Sequence, residues 1–128
     1  MKILLALKAN QEKLNKYVNK LLECAQKDDV ELTYDVVVSE VAIRNKMNEK
    51  HYDAVITMSR LEAKPFTIEA LTSISEIDED TKLIIIMSDK AKGSEYCERL
   101  LRNNLLYGVF LGDDKASDIY KLIKTKSP

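Results

Sequence analysis

Short apolar runs alternate with stretches of helical periodicity along the chain, and this alternation limits the fold more than any other feature. The most apolar run, Leu83–Met87, is typical of a parallel strand that is covered on both faces. Further strands are predicted at Lys2–Lys8, Glu31–Val38, Ala54–Thr57 and Tyr107–Leu111. Because a helical pattern follows each strand, the sequence predicts parallel βαβ units with right-handed crossovers.

The helical segments are recognised by apolar residues at three- and four-residue spacing and by capping side chains. Asn10, Ser39 and Ser94 are predicted N-caps. The buried stripes are predicted at Leu14, Tyr17, Val18, Leu21, Leu22 and Ala25; Ile43 and Met47; Ile68, Leu71, Ile74 and Ile77; Cys97, Leu100, Leu101 and Leu105; and Ile119, Leu122 and Ile123. Five strands alternating with five helices predict a three-layer α/β/α sandwich whose five-stranded parallel sheet has the flavodoxin-like order 2-1-3-4-5.

Length and charge narrow the class of protein. The 128 residues form one domain, predicted over residues 1–123, and residues 124–128 are expected to be a tail or the start of a linker to another domain. A net charge of −1 argues against nucleic-acid binding by this domain alone. No apolar run approaches the roughly 20 residues that span a bilayer, so no membrane insertion is expected and the predicted location is the cytoplasm.

Cysteine and glycine usage excludes several kinds of chemistry. Cys24 and Cys97 lie among apolar residues of helical periodicity, which favours small buried side chains over a disulfide or a catalytic thiol. The chain has only three glycines, so it contains no glycine-rich loop that could surround a phosphate with backbone amides. No nucleotide, and no other cofactor, is predicted.

A ligand site in such a fold would lie at the carboxyl ends of the strands, near the switch in strand order. The loops there begin with polar residues of mixed character. They contribute Lys8 and Asn10 after the first strand, Met58, Ser59 and Arg60 after the third, Ser88, Asp89 and Lys90 after the fourth, and Asp113 and Asp114 after the fifth.

Over essentially its whole length the chain resembles the receiver domains of two-component signalling. The resemblance is carried by the layout, by Tyr52 to Ile56, which lead into the third strand, and by Thr81 to Ser88 around the fourth. It implies an acidic pair after strand one and an aspartate after strand three, which hold Mg²⁺ and accept phosphate, and a lysine after strand five. In this chain Leu7, Lys8 and Ala9 stand at the acidic pair, Met58 at the acceptor and Asp113 near the lysine.

These departures predict a receiver without phosphoryl chemistry. Mg²⁺ prefers hard oxygen ligands, and a lysine ammonium repels a dication. The thioether of Met58 cannot form an acyl phosphate. We therefore predict a non-enzymatic pseudo-receiver that has no catalytic residue, no phosphoacceptor and no metal. Its degenerate pocket is predicted at Lys8, Asn10, Met58, Ser59, Ser88 and Asp113.

A narrower resemblance concerns Ser59 to Leu61 and residues 106–114. These segments are similar to the receiver-like N-terminal domains of TadZ/CpaE-type pilus-assembly ATPases, which precede a MinD/ParA-like ATPase. That resemblance implies a role in dimerisation, localisation or partner docking.

A domain that signals without chemistry needs an interaction surface. The receiver resemblance places this surface on the fourth helix, fifth strand and fifth helix, where arginine and tyrosine are typical interface anchors. The predicted interaction face, for a homodimer or another protein, consists of Arg99, Arg102, Asn103, Tyr107 and Tyr120.

Three other hypotheses remain beside this one. A small flavodoxin-fold enzyme or an anion-binding regulatory domain could use the carboxyl-edge pocket, the latter through Lys8, Arg60 and Lys90. A DNA-binding regulator would need a basic element that this chain lacks.

The lone His51 is expected to be structural or exposed, without a metal.

Overall fold

The computed structural model describes residues 1–8, 10–58, 60–61, 66–87, 95, 108–111 and 116–124. Strands and helices alternate up to the fourth strand, and the described residues then continue with a fifth strand and a helix. In chain order they are β1 (Lys2–Ala6), α1 (Gln11–Lys27), β2 (Thr33–Val37), α2 (Glu40–Glu49), β3 (Ala54–Met58), α3 (Ile68–Ile77), β4 (Lys82–Met87), β5 (Gly108–Leu111) and α4 (Ala116–Lys124). Among the described helices, none combines the length and the apolar character that a bilayer crossing requires.

All the strands of the described part join one parallel sheet in the order β2-β1-β3-β4-β5. The register places Ile3 of β1 between Tyr34 of β2 and Ala54 of β3, and β5 pairs along β4 from Ile84 onward. The predicted α/β fold with a parallel sheet of the flavodoxin type is confirmed. The switch in strand order lies between β1 and β3, so the loops that follow these two strands meet at one edge of the sheet.

The sheet separates two apolar cores. Leu4 and Ala6 of β1 face the core that is covered by α2 and α3, whereas Ile3 and Leu5 face the core that is covered by α1 and α4. This division follows from the alternation of side chains along a strand. Because both faces of β1 are buried, its sequence is continuously apolar rather than alternating, as the prediction for a central strand requires.

The side chains of Asn10 and Ser39 cap α1 and α2 where the sequence predicted them, whereas the third predicted N-cap, Ser94, lies outside the described residues, as does the helix predicted after it except for residue 95. The Asn10 side chain accepts a 2.8 Å hydrogen bond from the backbone N–H of Lys13, and Ser39 Oγ accepts one of 3.1 Å from Ala42. Cys24 is partly buried and packs against the α1/α4 core, whereas Cys97 lies outside the described residues.

Two strands are shorter than predicted. β1 ends at Ala6 instead of Lys8, although Leu7 stays buried beyond the last ladder position. β2 covers Thr33–Val37 instead of residues 31–38, because the chain leaves the sheet at Val38 to place Ser39 at the start of α2.

One member of the predicted interaction face is not on the surface. Tyr120 was predicted to lie beside the buried stripe of the last helix, but it is only 3% exposed. The buried face of α4 includes Ile119, Tyr120 and Ile123, all packed in the α1/α4 core, so this stripe is wider than the spacing of aliphatic residues indicated. The other four members of the predicted face, Arg99, Arg102, Asn103 and Tyr107, lie outside the described residues.

Candidate functional site

The carboxyl ends of β1 and β3 bring Lys8 and Met58 together. Ala6 pairs with Thr57 in the sheet, so the next residues along both strands are neighbours. The backbone N–H of Lys8 donates a hydrogen bond to Sδ of Met58, with 3.3 Å between nitrogen and sulfur. On the other side, the buried hydroxyl of Thr57 donates a 3.0 Å hydrogen bond to the carbonyl oxygen of Met58. These contacts hold the thioether over the end of β1.

At this edge of the sheet the described side chains at the predicted acidic and acceptor positions are Leu7, Lys8 and Met58. Leu7 is buried in the α1/α4 core, and Met58 is partly buried against both cores. The side chains of Leu7, Lys8 and Met58 contain no oxygen, and hard cations such as Mg²⁺ are bound by oxygen. Lys8 is exposed and adds a positive charge at this edge.

The remaining predicted pocket residues divide into two groups. Asn10 is described, and its side-chain oxygen is used to cap α1. Ser59, Ser88 and Asp113 lie outside the described residues. The structure thus joins Lys8 and Met58 directly, and Asn10 stands at the start of the helix that follows Lys8.

A second polar cluster lies at the opposite end of the sheet, around His51. Its Nδ1 is 2.6 Å from Oδ2 of Asp78, and its Nε2 is 3.9 Å from Oδ1 of Asp53. The hydrogen bond to Asp78 raises the pKa of the His51 imidazole, and the same bond lowers the pKa of the Asp78 carboxyl. Sequence reasoning missed this pairing because the two residues are 27 positions apart.

The sequence signal that points to this pairing is the acidic turn Asp78–Asp80. In a βαβ unit the turn that precedes β4 lies at the same end of the sheet as the turn that precedes β3. Within the described ranges, no group of three or more histidine, cysteine, aspartate or glutamate side chains is placed to hold a metal ion. The 2.6 Å contact between His51 and Asp78 makes this cluster an ion pair when the imidazole is protonated.

An open groove of about 400 Å³ also lies at the amino ends of the strands. It runs between the last turns of α1 and the segment that leads into β2, and Leu22, Asp29 and Leu32 contribute to its walls. The enzyme and anion-binding hypotheses place their pocket at the carboxyl edge, which is the other end of the sheet.

No protein-family model and no curated protein sequence matches this chain. Solved structures do match it, and most of those compared are receiver domains. RcsB from Salmonella enterica, bound to a promoter in the presence of a beryllofluoride phosphomimetic, is 16% identical with a TM-score of 0.70; the match covers 96% of this chain and 95% of that one.

Two further solved structures bear on the site. The receiver domain of a sensor histidine kinase from Pseudomonas aeruginosa, with magnesium in its active-site cleft, is 15% identical with a TM-score of 0.68, over 96% of this chain and 93% of that one. The pilus-assembly protein CpaE from Caulobacter crescentus is 10% identical with a TM-score of 0.66, over 95% of this chain and 89% of that one. At such identities the likeness concerns the fold, and the chain has the fold of response-regulator receiver domains.

Proposed function

We propose that this domain is a non-phosphorylatable pseudo-receiver that acts as a protein interaction, dimerisation or localisation module rather than as an enzyme. The observation that carries the proposal is the contact between Met58 and Lys8. A thioether lies where the receiver resemblance places the phosphoacceptor, and it accepts the backbone N–H that follows β1.

The local packing supports a lasting loss of phosphoryl chemistry. Leu7 is buried in the α1/α4 core, so replacing it by an acid would put a carboxylate into an apolar environment, which costs several kcal/mol unless the group is paired. Met58 contacts both cores and contributes to packing. The residues that replace the acids therefore stabilise the fold, and a fold of this kind transmits signals through its surface.

The test is phosphorylation from a small donor. The protein is incubated with Mg²⁺ and acetyl phosphate, and its intact mass is measured; the magnesium-binding receiver domain of the Pseudomonas aeruginosa histidine kinase serves as the matched positive control. We expect one added phosphoryl group on the control and none on this protein. An acid-stable or acid-labile phosphoryl adduct on this protein would refute the proposal.

A finer part of the proposal concerns the cellular setting. The fold is similar to CpaE, a pilus-assembly protein, and we propose that the domain localises or docks a pilus-assembly or partitioning ATPase in the cytoplasm. A coding sequence for a P-loop ATPase directly downstream or in the same reading frame would support this setting. A solitary gene without such a neighbour would favour an independent adaptor.

A second candidate is an anion-binding regulatory domain. It is favoured by one observation: Lys8 and Arg60 follow the adjacent strands β1 and β3 at the switch in strand order, and both are exposed. Inorganic phosphate titrated into the labelled protein would shift the backbone amide resonances of these two residues if an anion site exists. Saturable shifts that disappear in Lys8→Gln would favour this candidate, whereas unchanged spectra would remove it.

A further inference from the structure

We propose that the open edge of β2 pairs antiparallel with β2 of a second copy of this chain, so that the two sheets join across a two-fold axis. The inference rests on the proposed function, because it names the surface and the partner of an interaction module. In the part of the chain that the structure describes, β2 stands at the end of the strand order and pairs with β1 alone.

The direction of the backbone groups identifies which residues could bond to a partner strand. The N–H of Thr33 donates a 2.9 Å hydrogen bond to the carbonyl of Met1, so the backbone of Thr33 faces β1. Backbone direction alternates along a strand, so Asp35 and Val37 also face β1. The N–H and C=O groups of Tyr34, Val36 and Val38 therefore point away from the sheet.

The side chains of those outward residues are apolar and exposed. Tyr34, Val36 and Val38 have exposed fractions of 42%, 39% and 55%, and Val41 in the first turn of α2 has 66%. Natural edge strands are usually protected from pairing by lysine, proline or a bulge. Between Thr33 and Val38 there is no lysine, proline or bulge, and the outward positions Tyr34, Val36 and Val38 are good strand formers. Asp35 is the one charged residue in this range, and its carboxylate is already bonded to Tyr52 and Lys50 of the same copy.

Charge selects one register for the pairing. A two-fold axis at Val36 places Tyr34 opposite Val38 of the other copy and Val36 opposite its own equivalent. This register forms about six backbone hydrogen bonds, two for each hydrogen-bonded residue pair. An axis at Asp35 would place two carboxylates opposite each other, which destabilises a sheet.

Asp35 already has its partners within one copy, so a Val36-centred pairing leaves its contacts intact. Its Oδ2 lies 2.6 Å from the hydroxyl of Tyr52 and 3.5 Å from Nζ of Lys50, on the face of the sheet opposite to Tyr34 and Val36. The apolar pairs across the axis consequently approach one another without an unpaired charge between them.

The size of the patch sets the expected strength. From the exposed fractions, the three apolar side chains Tyr34, Val36 and Val38 offer on the order of 250 Å² per copy, compared with about 800 Å² per partner in a standard stable interface. A second copy suits such an edge because an antiparallel pair of identical strands is self-complementary, and the net charge of −1 gives little repulsion. We therefore expect a weak dimer with a dissociation constant in the micromolar range, on the order of 10–100 µM.

Sedimentation analysis of the whole chain up to about 0.5 mM tests the proposal, since this range exceeds micromolar dissociation constants. Wild type should dimerise with rising concentration, and Val36→Lys should weaken the dimer at least tenfold by placing two ammonium groups at the axis. Thr33→Lys is the matched control: Thr33 is also exposed on β2, but its backbone bonds to β1, so this variant should dimerise as wild type does.

Cross-linking provides a second measurement that does not depend on a destabilising charge. Hydrogen-bonded antiparallel pairs have Cα atoms about 5.5 Å apart, which a disulfide can bridge. Val36→Cys should form a covalent dimer under mild oxidation, well above the background from Cys24 and Cys97, and Thr33→Cys should not exceed that background.

The outcomes separate this inference from the proposed function. A wild-type monomer throughout the concentration range, or a dimer that Val36→Lys leaves unchanged, would overturn pairing through β2. If the unchanged dimer is instead lost in Arg102→Glu, the interface lies on the interaction face that the sequence predicts, to which Arg102 belongs. Neither result alters the phosphorylation test, on which the pseudo-receiver proposal stands or falls.

Discussion

The hydroxyl of Tyr52 donates a 2.6 Å hydrogen bond to Oδ2 of Asp35. This bond connects the segment before β3 to the edge strand β2, which lie on opposite sides of β1. The ring of Tyr52 is buried in the α2/α3 core, and burial, followed by the nearby carboxylate, raises the pKa of its hydroxyl. The hydrogen bond from Tyr52 in turn lowers the pKa of the Asp35 carboxyl.

Removing this hydroxyl should destabilise the protein. Tyr52→Phe keeps the buried ring but loses a hydrogen bond to a charged group, so the free energy of unfolding should fall by about 1–2 kcal/mol in urea titrations at neutral pH. Tyr34→Phe is a suitable control, since Tyr34 lies on β2 with 42% of its surface exposed, and it should change the free energy by less than about 0.5 kcal/mol.

The cost of Tyr52→Phe should depend on pH. Because the pKa of Asp35 is lower in the folded state than its usual value of 3.8, its contribution is present above that value and is lost as the pH falls through the folded-state pKa. The difference between wild type and Tyr52→Phe should therefore shrink in acid. Equal differences at neutral pH and in acid below the folded-state pKa of Asp35 would contradict the assigned partner.

The ion pair of His51 and Asp78 should also make stability depend on pH. The pKa of the His51 imidazole is raised, in the opposite direction to that of Asp35. The chain has one histidine, so its titration by proton NMR gives a single unambiguous curve. We expect a midpoint above 6.5, because the 2.6 Å hydrogen bond to Asp78 favours the protonated imidazole. Asp78→Asn should lower this midpoint, and Asp80→Asn should lower it less, since Asp80 acts only through its charge at a distance.

The directions of the pKa shifts of His51 and Asp78 define the pH range in which their ion pair stabilises the fold. The raised pKa of His51 gives stability that is complete below 6.5 and is lost as the pH rises through the folded-state value. The lowered pKa of Asp78 gives stability that is present above 3.8 and is lost in acid. His51→Gln, which cannot become charged, should therefore lower the unfolding midpoint more at about pH 5.5 than at about pH 8.5. Equal losses at both values would contradict the ion pair.

Local patterns were sufficient to predict most of the scaffold. Asn10 and Ser39 cap helices where the sequence placed them, because an N-cap depends only on residues within one turn. The continuous apolar character of β1 predicted burial on both faces, and the two cores confirm it.

Contacts between distant segments were beyond such patterns. The sulfur of Met58 meets the N–H of Lys8 across 50 positions, which requires the register of β1 and β3 to be known. The burial of Tyr120 likewise depends on how α4 packs beside α1. A tyrosine next to an apolar stripe can face either water or a neighbouring helix, and the sequence alone does not distinguish the two.

Restoring an aspartate at the acceptor position should not restore phosphorylation. Met58→Asp supplies a nucleophile, but Leu7 and Lys8 still provide no acidic ligands for Mg²⁺, so we expect no phosphoryl group in the intact mass after treatment with acetyl phosphate. Met58→Leu is the control for packing, and it should change the free energy of unfolding by less than about 1.5 kcal/mol.

The charge at Lys8 can be tested in the same background. Lys8→Asp combined with Met58→Asp replaces a positive group by a carboxylate beside a second carboxylate, so Mg²⁺ should bind roughly tenfold more tightly than to Met58→Asp alone, as measured by NMR titration. Phosphorylation of the single variant Met58→Asp would show that acidic Mg²⁺ ligands at positions 7 and 8 are dispensable. It would contradict the explanation that their absence prevents phosphoryl transfer.

The backbone conformation of Asp29, just after the end of α1, limits the stability of this turn. Asp29 has a φ of 57°, in the left-handed region that glycine adopts without a steric cost, and Val30 donates a 2.9 Å hydrogen bond back to Ala25. Asp29→Gly should raise the free energy of unfolding by about 0.5–1 kcal/mol in urea titrations. Asp29→Asn separates the effect of charge, because asparagine tolerates this conformation and removes only the negative group near the helix C-terminus. Asp29→Ala should be no more stable than wild type, and an alanine variant as stable as the glycine variant would show that backbone strain does not limit this turn.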